Sequence, residues 1–223
     1  MSVIDCTQLE KDIRKVRRAH HVLAYLVQFY IHSMPPRPAH LKKDDPIVIP
    51  APVAIPLISV SRALGIAPIV TYADTVLWNW ALKDPSLPLS RNNITIPSLF
   101  TGSKQEEHFF LTSARIEVRG WEALDAMDLC VQEAKKDSPD VHSITKDLMR
   151  LSGALDDITA ILLAVRDGLD PHFFYNKFRP VCAHSLYHLI QLTSLLILYS
   201  GSKALIKEKN PLAGTTKVSM VLV

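Results

Sequence analysis

The chain of 223 residues is 48% hydrophobic and 21% charged, a balance that excludes wholesale disorder and is sufficient for one sizeable core or two small ones. Its 25 basic and 22 acidic residues leave a net charge of +3 spread along the sequence, without the concentrated positive field that a phosphate backbone requires, so nucleic acid is not an expected partner. Cys6, Cys130 and Cys182 are odd in number, far apart and outside any Cys/His ligand spacing, which argues against a disulfide framework or a structural zinc site and for a reducing, cytoplasmic setting.

The opening Met1-Ser2-Val3-Ile4-Asp5 lacks the basic flank and apolar stretch of a secretory signal, so export is not expected. From Leu9 to Ile31 the residues Leu9, Ile13, Val16, Leu23, Leu26 and Tyr30 recur near helical spacing. The Pro-rich stretch from Met34 to Pro56 predicts a connecting segment, because each proline removes a donor and restricts the residue before it. Short helices are predicted over Pro56–Leu64, ended by Gly65, and over Thr71–Leu82, closed by Lys83-Asp84-Pro85. Between His108 and Ala134 the residues Val118, Trp121, Leu124, Met127, Val131 and Ala134 keep helical spacing, with Gly120 placed to weaken or kink the middle. A further helix is predicted from the cap Ser143 through Leu148, Leu155 and Leu162, with Gly168 to stop it. No window alternates over the length of a strand, and the predicted fold class is all-α.

Generic motifs are absent: there is no Gly-rich phosphate loop, no HExxH and no nucleophile elbow. The nine histidines are scattered, and the adjacent His20 and His21 face different sides of their helix, so ordinary surface or core roles are expected of them. Three local patterns stand out. Tyr72-Ala73-Asp74-Thr75-Val76-Leu77-Trp78-Asn79-Trp80 gathers three aromatics and an Asp in one short helix, which also reads as a core helix with a capped polar residue. Phe109 and Ser113 stand four apart, presenting a ring and a hydroxyl on one face, although core packing with a back-bonded serine explains the same spacing. Tyr175 and Arg179 are also four apart, and an arginine among the aromatics of Phe173-Phe174-Tyr175 suggests an anion to be met, against the alternative of a solvated helix end.

The run Ile49-Pro50-Ala51-Pro52-Val53-Ala54-Ile55-Pro56, continued by Val60-Ser61-Arg62-Ala63-Leu64-Gly65 and Tyr-Ala-Asp-x-Val-Leu-x-Asn-Trp, resembles the indoleamine 2,3-dioxygenases, and the segments at Phe109 and Phe174 follow in that family's order. The resemblance implies an all-helical bundle with haem b held between helices of a large domain. It also implies insertion of O2 into the indole ring of L-tryptophan to give N-formylkynurenine, on the route of tryptophan catabolism to kynurenine. Tyr72, Thr75, Phe109 and Ser113 match positions lining the pocket above the haem, with Phe109 and Ser113 on the cofactor side. Phe174 and Tyr175 match aromatic substrate contacts, and Arg179 matches the residue that holds the substrate carboxylate. No acid–base catalytic residue is expected, since iron carries the oxygen chemistry.

On this resemblance, residues 1–65 are expected to be a partial small N-terminal domain with its connector, 66–180 the start of the large haem domain, and 181–223 a divergent tail. The helix carrying the family's proximal histidine is expected to lie outside this sequence, which leaves no metal ligand assigned and predicts weak or no catalysis from these residues alone. The run His184–Tyr199 is apolar but interrupted by His188, Gln191 and Thr193, and shorter than the roughly twenty residues a bilayer span needs. A membrane is therefore not an expected partner, and a monomer is expected. Val181–Tyr199 separates Arg179-Pro180 from the resumed Ser200-Gly201-Ser202-Lys203. A translated intron is the hypothesis for that insertion, and finding the same residues in the native protein by mass spectrometry would refute it.

Overall fold

Asp12 sets the start of the first long helix by accepting a hydrogen bond from the backbone N–H of Arg14 at 3.0 Å. The computed structural model describes residues 3–9, 11–34 and 47–182, together with strand residues 196–197, 199–200 and 220–221. Helix α1 spans Ile13–Ser33, later than the predicted start at Leu9, because Thr7–Leu9 forms a separate 3-10 turn and Asp12 supplies the cap. Val16, His20, Leu23, Ala24 and Val27 form its buried face.

Strand β1, Ile49–Pro50, leads directly into α2, Ala51–Leu64. The prediction of a connecting segment as far as Pro56 is thus corrected. Pro52 lies in the first turn, where its missing N–H would have no intrahelical partner anyway. Pro56 lies inside the helix and sacrifices one bond. The burial of Ala54, Leu57 and Val60 compensates, at about 1.5–3 kcal/mol for each larger side chain. Gly65 ends the helix as expected: at φ +66° it donates to the Arg62 carbonyl, and Ile66 reaches back to Ser61. The rest of the Pro-rich expectation, residues 35–46, falls outside the described residues.

The chain divides into two compact units, residues 1–74 with those from 176 onward, and residues 75–175. The first is built on α1 packed against α2, with a core of Cys6, Val16, Leu23, Ala24, Val27, Ile49, Ala54, Leu57, Val60 and Ile69. Its sheet content is two short pairings, β1 parallel to β5 (Tyr199–Ser200) and β4 (Leu196–Ile197) antiparallel to β6 (Met220–Val221).

The second unit is a long antiparallel-type helix pair joined by a short turn. Strands β2, Ala81–Leu82, and β3, Ile94–Thr95, pair antiparallel ahead of it, with Ala81 opposite Thr95. Helix α3 runs unbroken through Gly120 over Lys104–Ala134, starting earlier than the predicted His108. Ser103 and Glu106 explain the early start: Ser103 Oγ accepts from Glu106 N–H, and the fully buried Glu106 carboxylate accepts from Phe100 N–H, Thr101 N–H and Thr101 Oγ–H. Helix α4 spans Val141–Leu163, and its cap is Asp140, accepting from His142 N–H, instead of the predicted Ser143. A 3-10 turn, Ala164–Asp167, and then Gly168 end it.

Ala123, Ala126 and Ala154 are buried, whereas Trp121, Leu124, Met127 and Val131 of α3 and Leu148, Leu155 and Leu162 of α4 are exposed. Small alanines allow two helix backbones to approach closely, so the alanine faces meet and the larger apolar residues stay outside. Among the described residues no helix is long and apolar enough to cross a membrane. The apolar run 184–199 lies outside the described residues apart from the short strand pieces.

Candidate functional site

The Tyr72–Trp80 segment is more irregular than the predicted helix. Ala73–Leu77 forms a π turn, and the chain then leaves helical geometry before β2. Asp74, fully buried, caps this turn: its Oδ2 accepts from Thr71 N–H at 2.8 Å and from Thr71 Oγ–H at 2.7 Å. Within the segment Tyr72 is exposed and Thr75 half-buried. Asn79, also fully buried, donates to the Ser98 carbonyl at 2.7 Å and accepts from Ser98 N–H at 3.1 Å, joining the end of the segment to the approach to α3.

Phe109 and Ser113 project from the same face of α3, and both are half-buried. Ser113 Oγ–H donates to the Phe109 carbonyl at 3.3 Å, the back-bonded arrangement weighed from the spacing. The Phe109 ring meets Phe174 at a centroid distance of 5.5 Å, and Phe174 meets Tyr175 edge-on at 5.6 Å. Three of the residues singled out from sequence are therefore one aromatic cluster, two of them 65 positions apart (174 − 109). Such contacts contribute about 0.5–1.5 kcal/mol each beyond area burial. Tyr175 keeps 59% of its surface exposed, so the cluster is open on one side.

The Phe174 segment starts with a short helix, α5, Pro171–Phe173, capped by Asp170, whose carboxylate accepts from His172 N–H and Phe173 N–H. It continues as a second π turn, Phe174–Phe178. The π turn ends at Phe178, and Arg179 follows it in ordinary helical geometry, so the four-residue spacing of Tyr175 and Arg179 crosses a wider turn in which residues five apart stack. Arg179 is half-buried, and Tyr72 and Arg179 belong to the other compact unit from the aromatic cluster. Single π turns are uncommon and frequent at functional sites, and here each carries residues of the sequence-derived set.

A family model described as indoleamine 2,3-dioxygenase matches residues 1–216. The chain belongs to the indoleamine 2,3-dioxygenase family. Among similar proteins, indoleamine 2,3-dioxygenase 1 of Rattus norvegicus is 31% identical over 168 residues, covering 74% of this chain and 39% of the rat protein. Indoleamine 2,3-dioxygenase 2 of Homo sapiens is 33% identical over 181 residues, covering 80% and 42%. Indoleamine 2,3-dioxygenase of Saccharomyces cerevisiae is 29% identical over 177 residues, covering 77% and 37%. The chain thus spans about two fifths of the length of these relatives.

Within this family member, sequence reasoning missed the polar framework behind the site segments. His20 contacts Asp74 at 2.7 Å, His21 donates from Nδ1 to the Asp74 carbonyl at 2.8 Å, and Gln28 donates to the carbonyl of Val181, just beyond Arg179. The only available signal was a pair of adjacent histidines on an apolar helix. Burial pushes the His21 imidazole below its ordinary value, aided by Arg18 nearby. Among the described residues no group of three His, Cys, Asp or Glu side chains stands ready to hold a metal ion.

Proposed function

We propose that this family member serves a haem-dependent dioxygenase that opens the indole ring of L-tryptophan with O2 and yields N-formylkynurenine. The observation that carries the reading is the half-open cluster of Phe109, Phe174 and Tyr175, with the Ser113 hydroxyl at its edge. The relatives' names, which are of indoleamine dioxygenases, support the same reaction class.

The chemistry of the cluster fits one face of a large apolar macrocycle, because the rings of Phe109, Phe110, Phe174 and Tyr175 meet in succession there. In this reading Phe109 and Ser113 lie on the cofactor side, and we assign no iron ligand among the described residues. Haem b, when bound, supplies the activation of O2. The protein's own residues bind and orient the substrate. Phe174 and Tyr175 match the family's aromatic contacts to the indole, and Tyr72 and Thr75 match its pocket-lining positions. Arg179, in the helical run that begins with Phe174, offers two parallel hydrogen bonds to the amino acid's carboxylate. The Ser113 proton is committed to the Phe109 carbonyl, so Ser113 presents an acceptor oxygen to whatever binds there.

The test is to reconstitute the purified protein with haem, record the Soret band, titrate L-tryptophan, and assay N-formylkynurenine. A Soret band that shifts on adding tryptophan in the native protein, and not in Arg179→Ala, is the expected result. A haem-bound protein whose Soret band is indifferent to tryptophan overturns the reading, whereas little or no product is expected from these residues alone. A second reading, a non-catalytic helical interaction protein, is favoured by the exposed apolar residues along α3 and α4. It predicts no Soret band after reconstitution.

A further inference from the structure

A second cavity, of about 240 Å³, lies in the residue 75–175 unit, and none of its lining residues belongs to the tryptophan set. It begins with a loop. Asn93, nearly fully buried, holds that loop by donating to the carbonyls of Asp84, Leu87 and Pro88 while accepting from Asp84 N–H. The loop end carries Arg91 and Asn92 to the cavity wall. His108, Thr112 and Arg115 recur at helical spacing along one face of α3 and form the opposite wall, with Ile161 of α4 beside them. Arg115 Nε donates to the Arg91 carbonyl at 3.0 Å, clipping loop to helix.

The polar inventory of this cavity is one-sided. Arg91, Asn92, His108, Thr112 and Arg115 are its polar lining residues, and no carboxylate is among them. Arg91 has Asp157 at 3.6 Å, a long contact that leaves most of its donors uncommitted. His108 Nε2 is buried and has no hydrogen-bond partner, while the ring is pressed against Gly168. Thr112 donates its proton to the His108 carbonyl and so adds no competing donor. The volume equals roughly eight waters at about 30 Å³ each, below the range of about 300–1,000 Å³ usual for drug-sized ligands.

We propose that this cavity binds a small doubly charged oxyanion, either inorganic phosphate or a short dicarboxylate. Arg91 and Arg115 supply the charge complement, and Asn92 lines the wall beside Arg91 with a carboxamide. The inference goes beyond the dioxygenase reading and does not depend on it.

Isothermal titration of the full chain, without haem or tryptophan, tests it with inorganic phosphate and, separately, succinate, against sodium chloride at matched ionic strength. One saturable site is expected, weakened about tenfold in Arg115→Ala and several-fold in Arg91→Ala, each of which removes a guanidinium from the cavity wall. Asn92→Ala provides a loss-of-contact variant on an exposed residue, and circular dichroism verifies helix content in each. Tighter phosphate identifies a tetrahedral ligand, tighter succinate a dicarboxylate, and both support the site. No saturable binding of either anion to the folded native chain overturns it. Equal affinity in the native chain, Arg91→Ala and Arg115→Ala overturns it as well, since the ion would then be held by diffuse charge.

Discussion

His20 Nδ1 lies 2.7 Å from Asp74 Oδ1, with both side chains wholly removed from solvent. The other ring nitrogen of His20 lies 3.1 Å from the Ala67 carbonyl, and the other oxygen of Asp74 receives two hydrogen bonds from Thr71. The ring thus bridges the Asp74 carboxylate and the Ala67 carbonyl, a buried polar contact between segments far apart in sequence. It ties α1 to the π turn that follows Thr71.

Removing one partner leaves buried polar atoms of the other unsatisfied. His20→Ala is expected to cost about 1–3 kcal/mol, and Asp74→Ala, which also frees the Thr71 donors, at least as much. Chemical denaturation followed by circular dichroism measures this. A loss under 1 kcal/mol in both variants would mean the contact is absent in solution.

His21 makes stability depend on pH in a defined direction. Its folded-state value is lowered by burial, so in the window between that value and its ordinary value near 6.5 the unfolded chain binds more protons. Stability from this residue is therefore fully present above about pH 6.5 and is lost as pH falls through the folded value. A thermal melt series from neutral pH downward should fall less steeply for His21→Gln than for the native chain, and parallel curves would sink the assignment.

Gly168 is required for close approach. A Cβ built there lies 2.7 Å from two atoms of the His108 ring. Gly168→Ala is expected to destabilise by about 1–3 kcal/mol, as overpacking does. The double variant with His108→Ala should recover much of that loss in a double-mutant cycle, because the collision is then gone. Simple additivity of the two changes would place the strain elsewhere.

Glu106 is the internal cap of α3. Three donors converge on its buried carboxylate, from Phe100 and Thr101. Glu106→Ala leaves buried donors unsatisfied, with an expected loss of about 3 kcal/mol, and Glu106→Gln loses less because its carbonyl still accepts. Amide exchange at Phe100 and Thr101 is the local readout, and protection unchanged in Glu106→Ala would contradict the cap.

Phe109→Ala and Phe174→Ala remove rings that touch each other. If the cluster receives the indole, each should weaken tryptophan binding by roughly tenfold or more, and the double variant should lose less than the sum. Spectral titration of the haem-loaded protein measures this, and unchanged affinity in both single variants would remove the cluster from the substrate site.

Local chemistry made a good part of this protein legible. The helical periods announced α1, α3 and α4, Gly65 announced the end of α2, and the spacing of Phe109 and Ser113 announced a shared face, since each depends on residues within a turn or two. Tertiary structure decided what those periods leave open. The apolar stripe of α3 through Leu124 and Val131 is exposed while the alanine face is buried, because a period names a stripe without naming what covers it. The contacts of His20 with Asp74, 54 positions away, and of Phe109 with Phe174 pair residues that no local pattern connects. The two π turns likewise arise where burial of Asp74 and of Phe178 outweighs ideal helical bonding, a balance set by packing and invisible in the order of residues.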